Sequence, residues 1–375
     1  MLKVWSDVLS AADRQRVTLL GLLDLSAAFD CVDHDLLLQR LAMNVGLADT
    51  VLSWISSFLR GRTQQVAYGG QLSPVEPVLY GVPQGSVLGP VLFIIYTAEV
   101  DHVVARHGLG LHQYADDCQV YVTVPADLAE SAVARLSGCL VDVEAWMRAS
   151  RLKLNPSKTK VLWLGSRQQL QKITVKNVSV LSASITVSES AYDLGVVVDS
   201  QLTLSGHVAA LCRSAYFQLR QIRPIARSLP LSTAKALVQA FLFCRLDYCN
   251  ALLFGVSDNL VRRLQSVQNA AARLITGTPR RDHITPVLRS LHWLPVRRRI
   301  DYKMAVLMYK ALRDQLPSYL TDSCRLVTET IARRLQSADV LTCSVARTRT
   351  TLPRGTDCRF HCGSQTSASS LSVAD

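Results

Sequence analysis

The spacing of apolar residues divides the chain into a first part with strands and helices and a second part with helices alone. Residues 17–23 form a continuous apolar run that ends at Asp24, which is typical of a strand buried on both faces. Residues 127–147 carry apolar side chains every three or four positions, and this spacing predicts an amphipathic helix. Similar reasoning predicts three more helices, at residues 35–41, 49–59 and 86–106. It also predicts three more strands, at residues 63–68, 159–164 and 192–198.

The pattern changes near residue 200. Helical spacing then recurs between prolines and glycines, and it predicts helices at residues 206–228, 231–244, 258–276 and 296–314. Residues 348–375 are rich in Ser, Thr and Gly and have no periodicity, so we expect a disordered tail. The predicted fold class is α+β, with a mixed domain at residues 1–200 and a helical region at residues 201–347.

The charge of the chain indicates a polyanionic partner. The formal net charge is +12, and from residue 205 onward Lys and Arg outnumber Asp and Glu by roughly two to one. Nucleic acid is the first candidate and an acidic membrane surface the second. We expect no membrane-spanning helix, because no run of 18 apolar residues occurs.

Two adjacent carboxylates, Asp116 and Asp117, lie between two short segments in which polar and apolar residues alternate loosely. This pattern predicts that they lie at or near the tip of a β-hairpin. Adjacent carboxylates repel each other, and a divalent cation relieves that repulsion. The alternative is a plain β-turn, because Asp is a favoured turn residue.

Asp24 is a second candidate site because it follows the predicted buried strand. A carboxylate in this position can be held rigidly beside the tip of another strand. If Asp24 meets Asp116 and Asp117, three carboxylates converge, and such a cluster suits two Mg²⁺ ions. The alternative for Asp24 is an N-cap of the following turn.

The segment GVPQGSVLGP, residues 81–90, is a Gly- and Pro-rich turn that leads into the predicted apolar helix. Its small residues allow a backbone or a flat ring to approach closely, and Gln84 and Ser86 would be the polar contacts to a ligand. The alternative is an ordinary loop in which Ser86 caps the helix.

A turn at Asn155 and Pro156 precedes another predicted strand and presents Lys158 or Lys160. A lysine near a phosphate neutralises charge or donates a proton. The alternative is a solvated lysine without a catalytic role.

Five segments along the chain resemble, in sequence and in order, the palm motifs of reverse transcriptases. Their sequences are most similar to those of non-LTR, LINE-like retrotransposons. The segments are DLSAAFD (24–30), GVPQGSVLGP (81–90), YADD (114–117), LKLNPSKTKVLWLG (152–165) and DLGVVVD (193–199). The resemblance covers about residues 1–200, and residues 246–250 and 265–273 also resemble the downstream region of such elements. It implies a reverse-transcriptase palm, an antiparallel sheet with packed helices, followed by an all-helical, basic, thumb-like region that would hold a duplex by its phosphates.

The resemblance also implies roles for the metal-binding residues. Asp24, Asp116 and Asp117 match the carboxylates that bind two Mg²⁺ ions, with Mn²⁺ as the alternative ion. The backbone carbonyl of Leu25 would also face a metal. Lys158 matches the lysine that protonates the pyrophosphate leaving group.

The remaining roles implied by the resemblance concern the nucleotide and the primer. Phe29 matches the bulky residue beneath the incoming sugar, where an aromatic ring selects deoxynucleotides by excluding a 2′-hydroxyl. Gln84, Gly85 and Ser86 match the segment that lines the nucleotide and template. Leu194 and Gly195 match the hairpin that grips the primer end.

By this resemblance the expected function is RNA-directed DNA polymerisation, with an RNA template, a DNA primer or target, and dNTPs as partners. The alternative is an inactive retroelement remnant that binds nucleic acid through charge alone. An RNA-dependent RNA polymerase fits less well, because Phe29 argues against ribonucleotides. The family would work in the nucleus or cytoplasm, and no protein partner or membrane association is inferred.

Two regions depart from the family pattern. Only 23 residues precede Asp24, so we expect most of the fingers segment to be missing. The composition changes after Arg349, as in a frame-shifted reading frame. The tail also contains Cys358, His361 and Cys362, a cluster for which metal binding is left open because it lacks a second half-site.

Overall fold

A computed structural model describes residues 1–181, 183–226 and 228–321. The chain divides into two compact units. The sheet unit is Ser10–Leu194, and the helical unit contains Met1–Leu9 and the chain from Gly195 onward. The predicted tail and the cluster at Cys358, His361 and Cys362 lie outside the described residues.

The sheet unit contains most of the strands. The strands of this unit are β1 (Val17–Leu23), β2 (Thr63–Gln64), β3 (Ala67–Tyr68), β4 (Gln71–Leu72), β5 (Glu76–Pro77), β6 (Gly110–Tyr114), β7 (Asp117–Val124), β8 (Lys160–Leu164), β9 (Asn177–Val180), β10 (Ala183–Thr186) and β11 (Ser190–Asp193). A four-stranded antiparallel sheet has the order β6-β7-β1-β8, and β9 pairs with β10 in a separate two-stranded antiparallel sheet.

Strand β1 is central in the four-stranded sheet, as its continuous apolar sequence predicts. Leu19 pairs with Val122 on one side and with Trp163 on the other, and neighbouring residues follow the same register. Both Leu19 and Leu20, which point to opposite faces, are fully buried. The strand therefore holds Asp24, the next residue after its end, beside the end of β7.

Helices pack against the sheet and enclose one core. Its largest fully buried members include Phe93, Tyr96, Leu37, Leu136 and Leu140. The helices are α1 (Leu2–Asp13), which crosses from one unit to the other along the chain, and then α2 (His34–Val45), α3 (Asp49–Leu59), α4 (Leu88–Thr97), α5 (Val100–Arg106), α6 (Ala129–Ala149) and α7 (Arg167–Leu170).

The predicted apolar helix at residues 86–106 forms as two helices, α4 and α5. By length and composition alone Leu88–Arg106 could cross a membrane, although we expected no such stretch. Phe93 and Tyr96 are nevertheless buried in the core of the sheet unit, and the core helix of a globular domain passes the same test.

The predicted strand at residues 63–68 is wrong in its extent. The chain instead forms two short ribbons, in which β2 pairs with β5 and β3 pairs with β4. All residues from Thr63 to Tyr68 are exposed, Val66 and Tyr68 among them, so the segment does not pack against the main sheet. Its strands therefore pair only with the nearby strands β4 and β5.

After Gly195 the helical unit contains one strand, β12 (Val196–Asp199), among its described residues. Helix α8 (Ser205–Ala226) packs on α11 (Asp258–Thr276), where Leu264, Val267 and Ala271 are buried. The predicted helix at residues 231–244 is broken by a π-helical turn, Gln239–Phe243, and the helix at residues 284–290 was not predicted. The helices are α8 (Ser205–Ala226), α9 (Leu231–Val238), α10 (Cys244–Asp247), α11 (Asp258–Thr276), α12 (Ile284–Ser290), α13 (Val296–Ala311) and α14 (Ser318–Thr321).

Candidate active site

The Asp116 and Asp117 carboxylates lie at the tip of the β6–β7 hairpin, as the alternation of the flanking residues predicts. Tyr114 pairs with Asp117, so Ala115 and Asp116 form the turn. Ala115 has a φ of 54°, which is strained for a residue with a Cβ atom. Surrounding contacts hold this conformation, because the Gln113 side-chain amide donates to the Ala115 carbonyl at 3.0 Å.

The same glutamine anchors the hairpin to helix α4. The amide Nε2 of Gln113 also donates to Oγ1 of Thr97, at 2.8 Å. Thr97 is 1% exposed, and its hydroxyl in turn donates to the Phe93 carbonyl. A chain of hydrogen bonds from the helix core to the turn therefore limits the movement of the two carboxylates.

Asp24 lies at the neighbouring end of strand β1. Leu23 pairs with Cys118, so Asp24, which follows Leu23, and Asp117, which precedes Cys118, lie at adjacent strand ends. The backbone of Asp24 is fixed from its other side, because the Asn155 N–H donates to the Asp24 carbonyl at 2.9 Å. In the same segment Leu25, which is buried, forms an isolated bridge with Leu154.

The carboxylate oxygen Oδ2 of Asp24 is buried and has no hydrogen bond. The ammonium Nζ of Lys158 lies 3.5 Å from it, which is an ion-pair distance, although the geometry does not make a hydrogen bond. Lys158 itself is 66% exposed at its side chain. The structure thus brings the candidate lysine to the candidate carboxylate and leaves that lysine accessible from solvent.

The three carboxylates influence one another electrostatically. Partial burial raises the pKa of Asp117, and the negative charges of Asp116 and Asp24 raise this pKa further. Repulsion between like charges at one site favours a bound cation, which removes the repulsion. The convergence of Asp24 with the hairpin tip could not be read from local sequence, because it depends on the β1–β7 register.

The donor types in this cluster fit a divalent cation, although the side chains do not enclose one. Carboxylate oxygens are the ligands that Mg²⁺ prefers, and Oδ2 of Asp24 is a buried acceptor without a hydrogen-bond donor. In the described ranges, however, no group of three or more His, Cys, Asp or Glu side chains is close enough to hold a metal ion. The two-Mg²⁺ site stays a prediction.

A fourth carboxyl group, Asp193, lies near this cluster and was not singled out from the sequence. It is 6% exposed and accepts a 2.6 Å hydrogen bond from the Gln119 amide. Burial raises the pKa of Asp193, the hydrogen bond from Gln119 opposes this effect, and the charge of Asp117 adds to it. The carbonyl oxygen of the Gln119 amide is buried without a hydrogen-bond partner.

Phe29 lies in a 3₁₀ turn, Ala28–Cys31, shortly after Asp24. Its ring stacks on Phe93, with centroids 4.7 Å apart and an interplanar angle of 23°. Phe93 is fully buried, so the core of the sheet unit determines the position of the Phe29 ring. Selection of deoxynucleotides by Phe29 stays a prediction.

The turn that carries Phe29 is bonded to the segment at residues 81–86. The Val82 N–H donates to the Phe29 carbonyl at 2.9 Å, and the Gly81 N–H donates to the Val32 carbonyl at 2.8 Å. Gly81 has a φ of 87°, and a Cβ atom there would lie 2.9 Å from the Asp30 Cα atom. Only glycine fits this close approach without displacing the backbone.

His34 is a further residue of this junction that the sequence interpretation missed. It is 7% exposed, and its Nε2 lies 2.8 Å from the Gly81 carbonyl oxygen, to which it donates. A signal for it exists in the sequence, because His34 shares the buried stripe of α2 with Leu37 and Leu41.

The polar residues predicted to line the nucleotide have local contacts. Gln84 Nε2 lies 3.4 Å from Oδ1 of Asp30, and Gly85 has a φ of 80°. The Ser86 hydroxyl donates to the Pro83 carbonyl and accepts from the Gly89 N–H, so it caps the start of α4 as the alternative interpretation expects. Contact of these residues with a nucleotide stays a prediction.

The predicted primer-grip residues lie at a sharp change of chain direction after Asp193. Leu194 has a φ of 43° and Gly195 a φ of 81°. A Cβ atom on Gly195 would lie 2.8 Å from the ring of Tyr248, so a larger residue there would displace that ring and strain the backbone. Their contact with a primer stays a prediction.

Comparison with known proteins agrees with the resemblance seen in the sequence motifs. Residues 3–188 match the family model for reverse transcriptase (RNA-dependent DNA polymerase). The chain is 27% identical to the probable RNA-directed DNA polymerase from transposon BS of Drosophila melanogaster, over 72% of this chain and 30% of that protein. It is 28% identical to the corresponding protein from transposon X-element of the same species, over 73% of this chain and 30% of that protein.

The RNA-directed DNA polymerase from the mobile element jockey of Drosophila funebris is 29% identical, over 68% of this chain and 28% of that protein. The chain thus spans about 30% of the length of the first two curated relatives. Among solved structures, apo telomerase from Candida tropicalis aligns with a TM-score of 0.40 at 11% identity, over 74% of this chain and 46% of that chain.

Proposed function

Because residues 3–188 belong to the reverse transcriptase family, we propose that this chain is part of a retrotransposon RNA-directed DNA polymerase. The observation that supports the proposal is the convergence of Asp24 with the hairpin tip that carries Asp116 and Asp117. Partial burial raises the pKa of Asp117, and the negative charges of Asp116 and Asp24 raise it further, so a bound cation would stabilise the ionised cluster. Lys158 adds a cation at 3.5 Å from Asp24.

The proposed reaction transfers a nucleotide from a dNTP to a primer. The 3′-oxygen of the primer forms a bond to the α-phosphorus of the dNTP, the bond from that phosphorus to the bridging oxygen breaks, and pyrophosphate leaves. Asp24, Asp116 and Asp117 would hold Mg²⁺ ions, which would supply charge neutralisation for the phosphates and a lower pKa for the primer hydroxyl. Mn²⁺ would serve as an alternative ion.

The other residues of the site would bind, orient and transfer a proton. Lys158, whose side chain is 66% exposed, would donate a proton to the departing pyrophosphate. Phe29, held by its stack on Phe93, would exclude a 2′-hydroxyl from the sugar position. Contacts with the nucleotide, template and primer would come from Gln84, Gly85 and Ser86, and from Leu194 and Gly195.

Primer extension tests this function directly. The purified chain is given a DNA-primed RNA template, dNTPs and Mg²⁺, and the products are resolved by length. Incorporation that is present in the wild type and in Asp101→Asn, and is lost in Asp116→Asn, supports the proposal. Asp101 is a suitable matched control because it is an exposed carboxylate of the same unit on helix α5.

An inactive remnant that binds nucleic acid through charge alone gives a different result. No extension occurs, and duplex binding is weakened by salt and unaffected by Mg²⁺ or by Asp116→Asn. This outcome would refute the polymerase proposal for the chain.

A further inference from the structure

Helix α8 in the helical unit borders a cleft that combines arginines with apolar walls. Two adjoining cavities, with volumes of about 620 and 680 Å³, share Tyr216 and Arg220, and together they are called the α8 cleft here. Each volume lies in the range of roughly 300–1,000 Å³ that is usual for pockets which bury a small organic molecule. The α8 cleft is therefore large enough for a nucleobase and its sugar.

Arginines follow the cleft along its length. Arg213, Arg220 and Arg223 occur on α8 at helical spacing, and they extend over about 15 Å at the usual rise per residue. Arg263 of α11 lines the cavity at one end, and Arg280 lines the cavity at the other. The positive charge thus extends further than a single anionic group would require.

These arginines are not neutralised within the described part of the chain. The ion-paired arginines of the helical unit there are Arg281, Arg297, Arg298 and Arg299. No described carboxylate lies at ion-pair distance from the five arginines named in the previous paragraph, which are Arg213, Arg220, Arg223, Arg263 and Arg280. Unpaired guanidinium groups on a concave surface favour a phosphorylated ligand.

The rim that carries Arg280 is built by a neighbouring arginine. The Arg273 guanidinium donates to the backbone carbonyls of Pro279, Arg280 and Asp282, with a distance of 2.8 Å to the last. Helix α11 ends just before this loop at Gly277, which has a φ of 69°. Arg273 therefore has a structural role, and it holds the loop that presents Arg280.

Aromatic and aliphatic groups lie between the arginines. Tyr216 is 39% exposed and Phe217 is 52% exposed, although both belong to a helix that packs against α11. The wall of the larger cavity also includes Leu219, Leu231 and Leu274. A duplex presents phosphates, sugars and base edges to such a surface, but the faces of its bases are stacked inside. An unpaired base, in contrast, gains by stacking on an aromatic ring.

We propose that the α8 cleft binds single-stranded nucleic acid, with an unpaired base beside Tyr216 and the flanking phosphates at Arg220 and Arg223. This binding does not require nucleotidyl transfer, so it can be measured without dNTPs and stands or falls separately from polymerase activity. The wall chemistry distinguishes it from a surface that holds a duplex by its phosphates alone.

The test uses the full chain and a fluorescently labelled oligouridylate of roughly 12 nucleotides, a length within the usual range of single-strand sites. Fluorescence anisotropy gives the affinity, with the matching duplex and polyglutamate as competitors. Tyr216→Leu is expected to weaken single-strand binding roughly tenfold, whereas Tyr216→Phe, which keeps the ring, binds as the wild type does. Melting temperatures establish that both variants are folded.

Charge variants test the phosphate contacts separately. Arg220→Gln should weaken binding and lower the slope of log affinity against log salt by about 0.7. Arg262→Gln is the matched control, because Arg262 is exposed on α11 and lies outside both cavities. The proposal is overturned by any of three results: wild-type affinity in Tyr216→Leu, equal losses in the two arginine variants, or displacement by the duplex or polyglutamate as effective as by unlabelled single strand.

Discussion

His34 donates a buried hydrogen bond of 2.8 Å to the carbonyl oxygen of Gly81, and this bond joins helix α2 to the segment that carries Gln84, Gly85 and Ser86. Gly81 and Val82 are bonded to the turn that contains Phe29. His34 is therefore a positioning residue for two groups that are predicted to contact the nucleotide. It holds the spacing between the predicted sugar selector and the predicted nucleotide-lining segment.

Replacement of His34 is expected to affect nucleotide binding more than turnover. His34→Phe leaves the Gly81 carbonyl without its donor, and we expect the KM for dNTPs to rise roughly tenfold, since an unpaired buried acceptor costs about 1–3 kcal/mol. His34→Gln keeps a side-chain N–H donor and should recover much of the loss. Steady-state primer extension measures both constants and the preference for dNTPs over rNTPs. Equal decreases in kcat for both variants, with KM unchanged, would contradict a positioning role.

The close approach at Gly81 predicts a large difference between two glycine substitutions. Gly81→Ala puts a methyl group 2.9 Å from the Asp30 Cα atom in a strained conformation, and it should lower the free energy of unfolding by about 3 kcal/mol. Gly85→Ala also has a positive φ, but no atom lies within 4 Å of the added carbon, so it should cost only about 1 kcal/mol. Urea unfolding followed by circular dichroism gives both values. Similar losses in the two variants would show that the contact with Asp30 is unimportant.

Asp193 is expected to make stability depend on pH. Since burial raises the pKa of Asp193 in the folded chain, the folded state binds more protons than the unfolded state between the ordinary Asp pKa and the raised one. Stability should therefore fall as pH rises through that window. Asp193→Asn removes this dependence, and its amide can donate to the unpaired Gln119 oxygen, so we expect about 1 kcal/mol of added stability at neutral pH.

Denaturant unfolding at several pH values checks the Asp193 prediction. Asp101→Asn, at an exposed carboxylate of the same unit, should leave the pH profile as in the wild type. A loss of stability in Asp193→Asn at neutral pH would mean that the fold requires the ionised carboxylate.

The carboxylate cluster predicts a cation site that can be measured without catalysis. Mn²⁺, a paramagnetic substitute for Mg²⁺, is titrated into the chain and the free ion is followed by electron paramagnetic resonance. Asp24→Asn removes the negative charge of the carboxylate whose Oδ2 atom is buried, and it should weaken Mn²⁺ binding by at least about tenfold. Asp127→Asn, at an exposed carboxylate outside the cluster, is the control. Wild-type affinity in Asp24→Asn would exclude this residue as a ligand.

Local sequence patterns predicted the elements that carry the candidate site. Strand β1 was predictable from its apolar run because a strand buried on both faces carries apolar side chains at most of its positions. The hairpin tip at Asp116 was predictable because turn residues interrupt two alternating segments, and helix α6 because its apolar stripe repeats with the helical period. The family was recognisable from the order of five motifs, which is also a property of the sequence alone.

Tertiary structure decided which of these elements meet. The approach of Asp24 to Asp117 depends on the β1–β7 register, and the bonds from His34 to Gly81 and from Gln119 to Asp193 join residues 47 and 74 positions apart. Residues 63–68 are exposed and pair only with nearby strands, which local propensity did not indicate. The sequence by itself thus determined the elements and the type of chemistry, because periodicity and turn preference are local. The positioning residues and the α8 cleft exist only in the folded chain, because packing between distant segments creates them.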